Sequence, residues 1–171
     1  WKQETLIDVA NKFAHEMNFN ISNSYQKEKI TKFLGVYAGQ LPIKNNYEDI
    51  NVLINDSINN SKVYNYETKK TTQVYDLTKI NSIDKYDIYL SGSVSLLKIT
   101  TNNQSNKRLI IFRDSYGSSI TPLFTEGYKE IIVVDTRYIS PKLLANYIDF
   151  NSADVLFLYS TSLINNSYTL K

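Results

Sequence analysis

The stretch of this chain best equipped for chemistry is Arg108-Leu109-Ile110-Ile111-Phe112-Arg113-Asp114-Ser115-Tyr116-Gly117-Ser118-Ser119. An apolar run leads straight into a charged and hydroxylic cluster, and Gly117 comes next. Such a run suits a strand buried on both faces, and in open α/β sheets functional groups gather just past the carboxyl ends of such strands. The pattern predicts strand, sharp turn and helix, with Ser115 at the mouth. A serine on a tight strand-to-helix turn can have its Oγ lifted clear of the backbone, while nearby amide N–H groups favour a developing oxyanion. Asp and Ser after a strand are equally at home as helix caps, whose side-chain oxygens satisfy orphan N–H groups. Pattern alone leaves both readings open.

Two more clusters bear on the first. If the strands over 109–112, 131–135 and 155–159 are parallel neighbours, then Ser115, Asp135-Thr136-Arg137 and Ser160-Thr161 all emerge on one edge of the sheet. The planar fork of Arg137 could grip an anionic or hydroxyl-rich substrate, or pair with Asp135 or Asp114. Asp135 has no companion carboxylates at metal-binding spacing, so it reads as structural and no metal site is expected. A nucleophilic serine needs a base. His15, the only histidine, lies about half a turn from the apolar stripe of the first helix and should face solvent. Walker, dinucleotide and zinc-binding His-pair motifs are all missing, which leaves phosphoryl transfer, hydride transfer and metallohydrolysis without support and calls for no cofactor.

The elements that would position these groups emerge from periodicity. Leu6, Val9, Ala10, Phe13 and Met17 recur at helical spacing within 3–18. A strand-like pattern runs over 30–37, with Gly35 and Gly39 as bulges or close-packing points and Leu41-Pro42 as its end. A short strand over 50–54, a hairpin of 62–66 with 72–76, and a strand over 96–100 come next, then a wholly polar loop at 101–107. The last third alternates: strand 109–112, helix 119–126, strand 131–135, helix 141–151 opened by Pro141, strand 155–159. That rhythm implies parallel strands joined by crossovers. The expected architecture is a single α/β domain over 1–171 with a mostly parallel sheet and a β-rich insertion in the middle of the chain.

Composition narrows the function classes. The 171 residues suffice for one sizeable core. Nineteen basic and seventeen acidic residues leave a formal charge of +2, too small a field to draw in nucleic acid. The absence of cysteine removes disulfides, thiol nucleophiles and cysteine zinc sites. No run approaches the roughly 18 apolar residues of a membrane span. The chain opens at Trp1, already at the edge of a helical pattern, and reads as the remainder of a longer polypeptide with room for a signal or membrane anchor upstream. Fourteen tyrosines suit half-buried strands better than sugar platforms. Nothing in the sequence speaks to oligomeric state.

Phe112-Arg113-Asp114-Ser115-Tyr116-Gly117-Ser118-Ser119, together with Pro122, Tyr128-Lys129-Glu130 and Ile132-Val133-Val134-Asp135-Thr136-Arg137-Tyr138, resembles the DHHW protein family. That family is similar to the SGNH-like acyltransferases that O-acetylate bacterial exopolysaccharides. Trp1-Lys2-Gln3-Glu4-Thr5-Leu6 ahead of an amphipathic helix is similar to the segment just after the family's Asp-His-His-Trp block, and Asp84, Tyr86, Tyr89 and Gly92 resemble the element before the serine strand. One departure stands out: Arg113 occupies the place where the acyltransferases have glycine.

The resemblance implies an SGNH/flavodoxin-like three-layer sandwich with Ser115 as nucleophile and Asp114 bracing its turn. It further implies that N–H groups of Ser115 and Gly92 hold the oxyanion, with Tyr116 and Arg137 facing the substrate; Arg113, at the departing position, would either crowd the turn or bind substrate as well. The catalytic Asp and His would stand just before Trp1, so this stretch alone would be nearly inert. The expected function is an extracytoplasmic, cell-envelope esterase or O-acyltransferase acting on a carbohydrate or acyl-donor substrate. The alternative is a non-catalytic domain that binds a glycan or envelope partner on the same scaffold.

Overall fold

The computed structural model describes residues 1–34 and 47–171. The expected features at Gly35, Gly39 and Leu41-Pro42 lie outside the described residues. The principal sheet has six strands: β3 (Lys62–Asn65), β4 (Lys70–Gln73), β5 (Leu96–Thr100), β6 (Arg108–Arg113), β7 (Glu130–Val134) and β8 (Asp154–Leu158). They lie in the order β4-β3-β5-β7-β6-β8. Two earlier strands, β1 (Gln26–Phe33) and β2 (Glu48–Ile54), form a separate antiparallel pair.

Burial explains the order. In β6, Leu109, Ile110 and Ile111 are fully buried, as are Ile131, Val133 and Val134 in β7. Residues hidden on both faces belong at the middle of a covered sheet, where each large aliphatic side chain contributes about 1.5–3 kcal/mol. In β8, burial alternates, with Val155 and Phe157 exposed, which suits an edge strand.

Three of the five strand pairings are antiparallel, while β6 pairs in parallel with both β7 and β8. The expectation of a mostly parallel sheet therefore holds only for the final three strands. The reason lies in the connections. The loop at 101–107 is too short for the crossover of about a dozen residues that would preserve direction, so β6 runs opposite to β5. Between them lies β7, parallel to β6, and it therefore pairs antiparallel with β5. Within the β-rich middle of the chain, β3, β4 and β5 continue the principal sheet, while β1 and β2 form the part that stands apart from it.

Helical elements cover both faces. Leu109, Ile111, Ile131 and Val133 pack with Leu6 and Ala10 of the N-terminal region and with Leu123 and Phe124. Ile110, Phe112, Ile132 and Val134 pack with Leu144 and Ile148. The first helix, α1 (Ile7–Glu16), buries Ala10 and Ala14 and sets Phe13 edge-on to Phe124 at 6.0 Å between ring centroids. Val9, expected on the buried stripe, is 41% exposed because the contact face runs through the alanines. A short helix, α2 (Asp56–Asn60), comes after β2 and is capped by the Asn55 side chain.

The expected helix over 119–126 begins earlier and is shorter. It forms as α3 (Gly117–Ile120), continued by a 3-10 turn over Thr121–Phe124. Pro122 has no N–H to extend an α-helical ladder, so the tighter turn takes over. The helix expected over 141–151 is one turn, α4 (Pro141–Leu144), and α5 (Thr161–Asn165) comes after β8. Among the described residues no helix is long and apolar enough to cross a membrane.

Candidate functional site at the rim of the parallel strands

Where β6 ends, the chain turns sharply. The Asp114 carbonyl accepts from the Gly117 N–H at 3.1 Å and the Ser115 carbonyl from the Ser118 N–H at 3.2 Å, so helical bonding begins at once. The Asp114 carboxylate is buried, with Oδ1 accepting from the Tyr116 N–H at 2.9 Å and Oδ2 from the Ser160 N–H at 2.8 Å. It thereby ties the turn to the segment after β8. Ser115 is exposed at the tip. Among the described residues nothing bonds to its Oγ or accepts from its N–H.

The three groups expected on one edge do meet there, because β6, β7 and β8 run in parallel and open on the same rim. Ser115, Tyr116, Arg137, Ser160, Asn166 and Tyr168 are among the residues that line a hollow of about 480 Å³. Its far wall is the segment carrying α5 and the turn at Ser167–Thr169, which the Lys171 N–H ties back to the Thr136 carbonyl at 2.9 Å. That wall was not foreseen. Its apolar residues, Leu163, Ile164 and Leu170, are scattered among polar ones, and no periodicity announces it.

Beneath the rim lies a buried cluster of opposite charges. Arg137 donates to Asp135 through Nε at 2.8 Å and Nη2 at 2.6 Å, a two-pronged grip. Those bonds raise the Arg137 pKa above its usual value. The side chain still reaches the hollow and lies over the Tyr138 ring at 5.3 Å. Both readings of Arg137, pairing with Asp135 and lining the site, therefore describe one placement.

Arg113 differs. Its side chain is 0% exposed and cannot touch a substrate, which overturns the expectation that it faces one. It points inward, where Nη1 lies 3.4 Å from Asp135 Oδ2 and 3.4 Å from the Asp114 carbonyl, and Nη2 donates to the Gly92 carbonyl at 3.1 Å. Burial lowers its pKa, and the Asp135 carboxylate opposes that shift.

Gly92 also departs from expectation as an oxyanion donor. Its N–H is already given to the Tyr89 carbonyl at 3.1 Å, and it sits buried at φ +82° with its carbonyl on Arg113. Of the two proposed donors, only the Ser115 N–H is uncommitted.

The start of the chain reaches the same place. The Trp1 and Tyr116 rings lie 4.7 Å apart between centroids. Gln3, fully buried, donates to the Ser119 carbonyl at 2.8 Å and accepts from the Leu53 N–H at 2.8 Å. Tyr86 donates to Ser119 Oγ at 2.6 Å, and burial pushes its hydroxyl up to about 12. Neither Gln3 nor Tyr86 stands out as a fastener in the sequence, since a lone polar residue carries no sign of where its partner lies. His15 is exposed and faces Glu16. No group of three or more His, Cys, Asp or Glu side chains suited to a metal ion occurs among the described residues.

No protein-family model matches the chain, and no curated protein matches its sequence closely. Solved structures do match. A DHHW family protein from Eubacterium siraeum DSM 15702 superposes with a TM-score of 0.68 at 21% identity, over 93% of this chain and 56% of that one. Bacillus cereus PatB1 matches with a TM-score of 0.66 at 18% identity, over 96% of this chain and 61% of its own. PatB1 bearing a sulfonyl adduct matches with a TM-score of 0.65 at 17% identity, over 96% and 59%. The chain thus spans 56–61% of the solved chains it matches. At these identities the shared property is the fold.

Proposed function

We propose that the chain is the serine-bearing part of an SGNH-like esterase or O-acyltransferase that acts on cell-surface carbohydrate outside the cytoplasm. The observation that carries this reading is Ser115 itself, exposed at the rim of three parallel strands with Oγ and N–H both uncommitted among the described residues. The fold shared with a DHHW family protein supports it.

On this reading Ser115 Oγ attacks an acyl carbonyl while its proton passes to a histidine supplied by residues preceding Trp1. The contact between Trp1 and Tyr116 supports that arrangement, since it brings the chain's first residue beside the serine turn. The Ser115 N–H stabilises the oxyanion of the tetrahedral intermediate. Collapse expels the donor alkoxide, which takes the proton from the histidine and leaves an ester on Ser115. A sugar hydroxyl or water then gives its proton to the histidine and attacks the ester, and the histidine returns that proton to the departing Ser115 Oγ, which restores the hydroxyl and the free base. Asp114 holds the turn, and Arg137 and Tyr116 line the substrate side.

Among the described residues the hollow holds no histidine, and its carboxylate, Asp114, is engaged by two backbone N–H groups, which favours a second reading, a glycan- or partner-binding domain without catalysis. One experiment separates the two. Full-length protein treated with a fluorophosphonate probe should label at Ser115, and a Ser115→Ala variant should not. A wild-type protein left unlabelled, while a known esterase reacts in parallel, establishes the binding reading.

A further inference from the structure

Arg113 is a charged residue held entirely inside the fold. Its whole side chain is out of contact with water, and its Nε has no partner among the described residues. Removing a guanidinium from water costs several kcal/mol unless carboxylate and carbonyl oxygens offset it. Here the oxygens come from three separate places: Gly92 before β5, Asp114 after β6 and Asp135 after β7.

The surroundings are shaped to admit it. A Cβ at Gly117 would lie 2.5 Å from Arg113 Cβ, so only glycine lets the helix start over the arginine stem. At Gly92, φ of +82° and a Cβ position 2.2 Å from Asp87 Oδ1 likewise demand glycine in the turn whose carbonyl receives Nη2.

The contact that bears on chemistry is the one to Asp114. Its carbonyl oxygen takes the Gly117 N–H at 3.1 Å and faces Arg113 Nη1 at 3.4 Å, so it points into the protein. The Asp114–Ser115 peptide is trans, and in a trans peptide C=O and N–H point in opposite directions. A carbonyl drawn inward therefore turns the Ser115 N–H outward. Both Nη1 contacts are long for hydrogen bonds, and what keeps Nη1 between its two oxygens is the rigid plane of the guanidinium, anchored through Nη2 on the Gly92 carbonyl at 3.1 Å.

We infer that Arg113 is a positioning residue which, from beneath the turn and without touching substrate, holds the Asp114–Ser115 peptide so that the Ser115 N–H faces the hollow as the oxyanion donor. The inference rests on the proposed acyl-transfer reading and deepens it by assigning that donor its support. It also gives a role to the residue standing where the acyltransferases have glycine.

The test uses the full-length protein and Arg113→Lys, which keeps the charge and loses the fork that reaches three oxygens at once. Hydrolysis of 4-nitrophenyl acetate should show kcat lowered about 100-fold with KM little changed, because an oxyanion donor acts on the transition state. Affinity for phenylboronic acid, whose tetrahedral serine adduct mimics the intermediate, should fall in parallel. A smaller folded fraction would instead scale the binding amplitude and leave the dissociation constant alone.

If Arg113→Lys does not fold, wild-type protein labelled with 15N-serine decides the matter: forming the boronate adduct should move the Ser115 amide proton downfield. A folded variant with unchanged kcat, a variant altered only in KM, or an unmoved Ser115 amide overturns the inference while leaving Ser115 a nucleophile. Wild-type protein that neither hydrolyses the ester nor binds the boronate overturns the acyl-transfer reading, and this inference with it.

Discussion

The two halves of the principal sheet differ in strand direction and are put to different uses. In β7, β6 and β8 all strands run the same way, so every carboxyl end opens on one rim and delivers Ser115, Arg137 and Ser160 to a single hollow. In β4, β3 and β5 successive strands reverse, so their ends alternate between the two rims. A parallel arrangement gathers polar residues that are far apart in the chain, whereas an antiparallel one disperses them and serves as support. The junction is β5 against β7, and there the Gly92 carbonyl, just ahead of β5, reaches across to Arg113.

Substitutions can break or sharpen this contrast. The largest effect is expected from Asp135→Ala, which takes the shared carboxylate from a sealed Arg113 and an adjacent Arg137. Leaving a buried charge uncompensated costs about 3–5 kcal/mol. A urea titration should show that loss, together with slower probe labelling at Ser115 in the remaining folded protein. An unshifted midpoint would mean the gathered rim does not depend on its buried charges.

A smaller effect is expected in the supporting half. Ile99 is fully buried in β5, and Ile99→Val should cost about 0.5–1.5 kcal/mol in the same titration. Its labelling rate per folded molecule should match that of wild type. A slowed rate would show that the antiparallel half tunes the site as well as bearing it.

The smallest concerns Asp87, packed under Gly92 at the junction. Burial raises its carboxyl above the ordinary 3.8, Asp84 adds to the rise and Lys79 opposes it. A carboxyl raised in the folded state weakens folding as pH climbs through that raised value, and costs nothing below its unfolded one. Asp87→Asn should therefore match wild type at pH 3 and gain on it as pH rises to neutrality. Urea midpoints across that interval measure the gap, and parallel curves would show that the junction does not feel this charge.

Much of the scaffold was legible in the sequence. The strand read at 96–100 occupies Leu96–Thr100, and the three strands of the last third fall within a residue or two of their expected places. His15 was expected in solvent and is there. These readings worked because exposure and burial alternate along a segment with its own geometry. Strand direction beyond the last three strands is not legible in this way, because periodicity is the same whichever way a neighbour runs. The short polar loop at 101–107 was the available clue. At the site, the turn around Ser115 was visible in its residue types, while the inward course of Arg113 and the engaged N–H of Gly92 were not.

Local composition thus settled which segments leave water, where the chain turns, and that a serine and an arginine stand just beyond buried strands. Only packing decided that Arg113 points in while Arg137 reaches the hollow, and that Gly92 spends its N–H on a turn. The physical reason is compensation: a buried charge or amide is tolerated only where other parts of the chain bring opposing oxygens or donors, and those partners are neighbours in space rather than in order.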